Sequence, residues 1–333
     1  MRVTIIGAAG MIGRKLAERI AATGQIGGAP VYAMTLVDVI EPDVAPDFKG
    51  KRTLLAADLA DAGVATRVIA DRPEIIVHLA AIVSGEAEAD CAKGYRVNLD
   101  GTRALLEAIQ AVEGYCPRVI YASSLAVFGA PFPDRIPDTH HLTPLTSYGT
   151  QKAMGEMMLN DYSRRGFLDG IGIRFPTICI RPGKPNKAAS SFFSGILREP
   201  LNGQEAILPV EDTVRHWFAS PRAAVGYIEH AATMDTAPLG AQRCMTMPGV
   251  TATVAEQIEA LRVVAGDAAV ALIKRAPDPA VASIVAGWPR NFDTARANAA
   301  GFVAETSFQE IIAVYLEDEM GQPAQTGTAP LRP

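Results

Sequence analysis

Arg2-Val3-Thr4-Ile5-Ile6 runs straight into Gly7-Ala8-Ala9-Gly10-Met11-Ile12-Gly13, and the reading of this junction decides the fold. The first five residues are largely apolar and rich in β-branched side chains, the composition of a short buried strand. From Ile12 onward apolar residues return every fourth position, at Leu16 and Ile20, which is helical spacing. The glycines therefore fall where a strand turns into a helix. There Gly7 permits a tight turn, Gly10 lets the main chain approach a pyrophosphate at the helix N-terminus, and Gly13 lets helix and sheet pack closely.

A second strand, Val31 to Val37, ends in Asp38. A carboxylate at that point accepts hydrogen bonds from the adenosine ribose and repels a 2′-phosphate. Val39-Ile40-Glu41-Pro42 supplies no arginine to hold such a phosphate, so the expected cofactor is NAD rather than NADP. The plainer reading of Asp38 is a solvated strand end. Asp58-Leu59, after the strand-like Thr53 to Ala56, places a carboxylate for the adenine amino group. Ile75 to Ala81 reads as a buried strand passing into the small residues Ala80 and Ala81 beyond Leu79, which leave room for a flat cofactor. His78 in this strand has no metal-spaced partner and reads as a packed core residue.

Tyr148 and Lys152 stand four residues apart, one helical turn on one face. A free tyrosine titrates near ~10 and is a poor base at neutral pH until a positive charge favours its phenolate. Lys152 is placed to supply that charge.

With these pieces together the chain resembles the extended short-chain dehydrogenase/reductases, the NAD-dependent epimerase/dehydratase family. The matching segments are Gly7 to Gly13, Asp58, His78 to Ala81, Asn98 in Val97-Asn98-Leu99-Asp100-Gly101-Thr102, Tyr121 to Gly129, and Tyr148 to Lys152. The resemblance implies a catalytic group of Ser, Tyr and Lys. Matching Val127-Phe128-Gly129 to the family's usual ending puts the serine at Ser124 and leaves Ser123 a structural hydroxyl. It also implies an NAD site drawn from Gly7, Gly10, Met11, Ile12, Gly13, Asp38, Asp58, Leu59, Leu79, Ala80, Ala81, Asn98, Tyr148, Lys152 and Phe175, with Asn98 passing a proton on through water. Relatives pair the helices that begin near Tyr95 and Ser147 as a four-helix dimer interface. Leu105, Leu106, Ile109, Met154, Met157 and Met158 look too numerous for one buried stripe, so a homodimer is expected here.

The substrate is narrowed by what is missing. Dehydratases of the family carry Thr-Asp-Glu where this chain has Ser124-Leu125-Ala126, and Leu and Ala cannot supply an acid and a base. Nucleotide-sugar epimerases place an Asn three residues after the strand arginine, where this chain has Thr177 after Arg174. The stretches Arg181 to Phe192, Arg198 to Leu201 and Arg215-His216-Trp217 resemble instead the D-erythronate dehydrogenase group, whose members oxidise the hydroxyl beside the carboxylate of a four-carbon sugar acid. That resemblance implies oxidation with Tyr148 as base, Ser124 orienting the hydroxyl and Lys152 holding the nicotinamide ribose. The expected substrate contacts are Ser84, Ser124, Tyr148, Thr177, Asn186, Ser190 and Arg215; a guanidinium grips a carboxylate through two parallel hydrogen bonds. A sugar epimerase and a non-catalytic NAD-sensing protein are the alternatives.

The chain's 333 residues, 49% of them apolar, fill one large α/β domain and a smaller one. The net charge of -5 gives no support for a nucleic-acid or anionic-membrane partner. No metal site is expected. Cys91, Cys116, Cys179 and Cys244 lack metal or redox spacing and read as buried, reduced thiols. A start directly on a strand and no apolar run near ~18 residues point to a cytoplasmic protein. Strands and helices alternate through Phe175, which predicts a Rossmann-type, doubly wound parallel sheet over residues 1–175, with 212–247 returning to it. Residues 176–211 and 248–320 are expected to form a smaller, discontinuous substrate domain, and 321–333 a disordered tail. The loop Gly24 to Pro30 has no assigned function.

Overall fold

The computed structural model describes residues 1–42, 47–183 and 190–322. The chain forms two compact units, 1–127 with 142–175 and 225–246, and 128–141 with 176–224 and 247 onward.

The first unit is built on seven strands: β1 Arg2–Ile6, β2 Ala33–Asp38, β3 Lys51–Ala56, β4 Ile75–His78, β5 Arg118–Ser124, β6 Asp169–Phe175 and β7 Cys244–Thr246. All pair in parallel, in the order β7-β6-β5-β4-β1-β2-β3. β4 is buried at every residue, as a strand covered on both faces requires, whereas β3 is largely exposed at the edge. The chain winds outward from β1 to β3 and then returns to place β4 against β1. That reversal leaves a crevice beyond the carboxyl ends of the central strands, where ligands bind in open sheets of this kind. Leu16 and Ile20 of the first helix, Met11–Thr23, are wholly buried. The segment after it is a two-residue hairpin, Gln25–Ile26 against Ala29–Pro30, turning through Gly27 and Gly28 at positive φ. A Cβ on Gly27 would lie 2.3 Å from the Glu229 carbonyl oxygen, so the hairpin sits directly on the helix Pro221–Thr233.

The second unit holds a three-stranded sheet in which Arg215–Ala219 pairs antiparallel with Val250–Thr253 and parallel with Thr177–Ile178. Its core gathers Phe193, Ile196, Leu197, Phe218, Leu261, Ile311 and Ile312 from that sheet and from the helices Ser191–Leu201, Val254–Val270 and Phe308–Met320.

Several expectations need correction. Residues 212–224 do not return to the main sheet: both edges of Arg215–Ala219 are taken by its own small sheet, and the place beside β6 is filled by β7. Residues 128–141 also group with the second unit. Leu105, Leu106 and Ile109 are fully buried in their own core, and Met158 packs against it. Only Met154 and Met157, at 40% and 60% exposure, remain of the proposed outer stripe. Cys91 and Cys116 are exposed, and only Cys179 and Cys244 are buried. Residues 323–333 of the expected tail lie outside the described residues. Among the described residues no helix is long and apolar enough to cross a membrane, and no cluster of three metal-ligating side chains forms.

Candidate active site

The glycine loop lies at the carboxyl end of β1, on the crevice. Its turn is made by Gly7, at φ +90°, whose added Cβ would fall 2.6 Å from the Ala80 nitrogen; a Cβ on Gly13 would fall 2.3 Å from the Gly7 oxygen. The loop thus closes on the Leu79–Ala81 segment and on its own helix. Gly10 is different: it is exposed, and its Cβ would meet only the Gly7 oxygen, at 3.3 Å. It caps the first helix with no side-chain hydrogen bond, so the first N–H groups of a 13-residue helix are left for an anion. Asp38, at the end of β2, is tied to this loop, accepting from Ala9 N at 2.9 Å through one oxygen and from Val39 N at 2.7 Å through the other. An open helix N-terminus, a loop that only glycine fits and a carboxylate beside it suit a dinucleotide. Met11 and Ile12 are half-buried on the same turn. Asp58 is more engaged than expected, since it accepts from Ala60 N and pairs with Arg96 at 2.7 Å; Leu59 after it is buried.

Tyr148 and Lys152 ride on the helix Ser147–Arg164, which Thr146 caps by accepting from Gly149 N at 3.0 Å. Two glycines set how closely this helix approaches the sheet. A Cβ at Gly149 would lie 2.1 Å from the Ala126 oxygen, and one at Gly155 2.2 Å from the Tyr121 hydroxyl. Gly149 thereby brings the Tyr148 turn against the 3₁₀ turn Leu125–Val127 that follows Ser124. Ser124 ends β5, half-buried, and accepts from Ala126 N. Its neighbour Ser123 is buried and donates to Glu156, which also forms a two-pronged pair with Arg174 at 2.8 and 2.9 Å. With alternate residues pointing to opposite faces of a strand, holding Ser123 inward leaves Ser124 outward. Glu156 and Arg174 were not singled out from sequence, although Glu156 continues the four-residue spacing of Tyr148 and Lys152.

Lys152 is only 2% exposed. Its Nζ donates to the Ala122 oxygen at 2.8 Å and lies 5.0 Å from the Tyr121 ring centre and 5.8 Å from that of Tyr148. Burial pushes the ammonium down from 10.5 to about 7, with the Glu156 carboxylate opposing the fall. His78 is buried, bonded to the Thr102 hydroxyl at 2.9 Å, and lowered to about 3 by desolvation and then by Lys152.

Asn98 sits within a π-helical turn, Tyr95–Asp100, a local widening often found at functional sites. Its oxygen accepts from Ile82 N at 2.9 Å, and its amide donates to Gln151 at 2.8 Å and to Ile82 O at 3.3 Å. Both donors are therefore engaged. Asn98 links the segment after β4 to the Tyr148 helix, and the side chain has no spare proton to pass on.

Phe175, the last residue of β6, is half-buried against Tyr227, and Ser84 starts the helix Ser84–Ala89. In the second unit Thr177 is hydrogen-bonded to His216 at 2.6 Å, and Ser190 accepts from Arg181 at 2.9 Å. Arg215 is held by Glu256 at 3.3 Å and by Thr251 at 3.5 Å, which competes with a ligand carboxylate. Asn186 lies outside the described residues.

A Rossmann sheet with a glycine loop, an acidic end to β2 and a Tyr-x-x-x-Lys helix defines a nucleotide-dependent oxidoreductase class. The model of the NAD dependent epimerase/dehydratase family matches residues 3–220, and the chain belongs to that family. Along nearly its whole length it is also similar to particular members. It is 44% identical to the D-erythronate dehydrogenase of Cupriavidus necator, covering 96% of this chain and 98% of that protein. It is 40% identical to that of Haemophilus influenzae, covering 96% and 100%. Among solved structures, one named a nucleoside-diphosphate-sugar epimerase, from Agrobacterium tumefaciens, shares 59% identity at a TM-score of 0.95, covering 96% of this chain and 95% of that one.

Proposed function

We propose that this protein is an NAD-dependent dehydrogenase that oxidises the 2-hydroxyl of D-erythronate to 2-dehydro-D-erythronate. The observation that carries this reading is the full-length similarity to two D-erythronate dehydrogenases in a chain that also holds Ser124, Tyr148 and Lys152 at the carboxyl end of one sheet.

Gly7, Gly10, Gly13 and the open helix N-terminus would hold the cofactor's pyrophosphate, and Asp38 its adenosine ribose, favouring NAD over NADP. Met11, Ile12, Asp58, Leu59, Leu79, Ala80, Ala81 and Phe175 would line the rest. When bound, NAD supplies the acceptor for the hydride leaving C2. Tyr148 as phenolate takes the proton of the 2-hydroxyl at its oxygen, and Ser124 orients that hydroxyl by hydrogen bonding. Lys152 supplies the positive charge that favours phenolate and bonds the nicotinamide ribose. Its charge is fully present only below about pH 7 in the ligand-free protein; a ligand offering acceptors to Nζ favours the charged form and so couples binding to activation. Asn98 fixes the helix and the segment beside it. Ser84, Thr177, Ser190, Asn186 and Arg215 remain the proposed contacts to the sugar acid, with Arg215 having to leave Glu256 to grip a carboxylate.

Release of free NADH from NAD and D-erythronate tests this. A second reading, a sugar epimerase, is favoured by the name of the Agrobacterium relative; an epimerase returns the hydride to its substrate and releases no NADH. Formation of an epimer without NADH would replace the dehydrogenase reading with that one. We further propose a cytoplasmic homodimer joined through Met154 and Met157, for which a monomer by light scattering at micromolar concentration is the refuting result.

A further inference from the structure

Lys152 carries its charge into a place that is 2% exposed, and the groups that receive it there are neutral. An ammonium has three N–H groups to place. One donates to the Ala122 oxygen at 2.8 Å, and Nζ also stands over two aromatic rings, 5.0 Å from the centre of Tyr121 and 5.8 Å from that of Tyr148. Both distances lie within the ~6 Å over which a ring face attracts a cation, and the attraction grows when water is excluded. Tyr121 is the nearer ring, and it is firmly held. It is 1% exposed, a Cβ on Gly155 would fall 2.2 Å from its hydroxyl oxygen and 2.6 Å from Cζ, and the His78 ring stands 5.8 Å away at 54°. The helix that carries Lys152 thus packs its own Gly155 turn against the ring on which the ammonium rests.

The other groups around Nζ do not neutralise it. Glu156, one turn along the same helix, is committed to Arg174 of β6 and to Ser123. His78 of β4 is lowered to about 3 by burial and then by Lys152. Burial, followed by Tyr148, Glu156 and Cys244, raises the Tyr121 phenol well above its ordinary value, so both of these rings are neutral at ordinary pH. A carboxylate bonded to Nζ would keep the ammonium charged but would also cancel much of its field at Tyr148. A carbonyl oxygen and a ring face bear partial charges only, so they attract the cation and leave its net charge standing.

We propose that Tyr121 is a positioning residue: its ring face seats the Lys152 ammonium, so that a buried cation stays charged and in place while its field remains free to favour the Tyr148 phenolate. The consequence for catalysis rests on the dehydrogenase reading; the contact itself does not. Burial drives Lys152 down to about 7 and Glu156 opposes that fall; the ring adds to the opposition.

Draining electron density from the ring, with little change of shape, tests the seat. Tyr121→Phe is compared with the same ring bearing one, two and three fluorines, each of which weakens the attraction of the face for a cation. In the full chain with carbon-13-labelled lysine and no cofactor, the Lys152 Cε signal is assigned by its loss in Lys152→Met. The proton affinity it reports should fall stepwise along the series, by roughly 2- to 30-fold in all. Urea stability at about pH 6, where Lys152 is charged, should fall in the same order, and the trend should vanish in a Lys152→Met background. The upper limb of the pH profile for D-erythronate oxidation should move down in step. A proton affinity indifferent to fluorine, or a stability trend that persists without Lys152, would show that the ring only packs and would overturn the proposal. An upper limb that stays fixed while the proton affinity falls would remove Tyr121 from the reaction. Should the most fluorinated ring not fold, Phe and its para-fluoro form, whose fluorine stands where the hydroxyl was, still carry the comparison. A parent protein that oxidises no D-erythronate refutes the dehydrogenase reading itself, and the titration and the stability series still decide whether Tyr121 seats the ammonium.

Discussion

Replacing Lys152 with methionine should make the cofactor-free protein more stable while abolishing its turnover. Methionine matches the length and apolar stem of lysine but carries no charge into a site that is 2% exposed. The fall of the ammonium from 10.5 to about 7, at ~1.4 kcal/mol for each tenfold change in proton affinity, corresponds to about 5 kcal/mol of native-state penalty. Against this stands the lost hydrogen bond to the Ala122 oxygen at 2.8 Å, worth about 1 kcal/mol. The net gain is roughly 3–4 kcal/mol. Between about pH 7 and 10.5 the unfolded chain holds the Lys152 proton more tightly than the native chain does, so this group makes parent stability rise with pH across that window. The penalty is complete below about pH 7 and gone above 10.5. Urea unfolding of both proteins without cofactor, from pH 6.5 to 9.5, should show the Lys152→Met variant ahead at the acid end and the gap closing as pH rises. A variant less stable than the parent at pH 6.5, or two stability curves that run parallel in pH, would refute the reasoning.

Tyr148→Phe should cut turnover 10²- to 10⁴-fold while NAD binding, followed by titration calorimetry, survives; near-parental turnover would remove Tyr148 from the mechanism. Asp38→Ala, which deletes the acceptor on Ala9 N and the charge facing a 2′-phosphate, should move the NAD-to-NADP ratio of kcat/KM toward one, and a parent that prefers NADP would show the assignment to be wrong. Gly155→Ala forces a Cβ to 2.2 Å from the Tyr121 hydroxyl, an overpacking of about 1–3 kcal/mol offset by ~1 kcal/mol of helix propensity. Its Tm should fall, and Tyr121→Phe should recover only part of the loss, because removing the hydroxyl leaves the ring carbon Cζ 2.6 Å from the new Cβ; full recovery would show that the hydroxyl alone carries the strain.

The sheet of the first unit was legible because its signals are local. A β-branched run followed by glycines and a four-residue apolar repeat states strand, turn and helix within twenty or so residues, and the Tyr148–Lys152 spacing needs only one helix. What sequence hid was set by distant partners. Nothing local to Arg215–Ala219 tells whether its edges meet β6 or Val250–Thr253 and Thr177–Ile178. Leu105, Leu106 and Ile109 look like an excess of apolar surface until the core that receives them is known. Arg215 reads as a carboxylate ligand until Glu256, 41 residues on, is seen beside it. The His216–Thr177 pair is hidden for the same reason, since the two residues stand 39 positions apart.

The last strand of the main sheet, β7, reaches the ribosome's exit long after the six others, and this orders the birth of the protein. A nascent chain that has emerged only to residue 220 contains the whole family-matched segment yet leaves β6 with an unpaired side. That side is apolar and tightly tailored: Gly172 is vacant of a side chain because the Cys244 sulfur takes the space, 2.3 Å from where a Cβ would stand. An unsealed, almost wholly buried strand is a template for pairing with another chain. During synthesis, or in any fragment cut before 244, the strand that β7 seals in the finished sheet has an edge without its native partner.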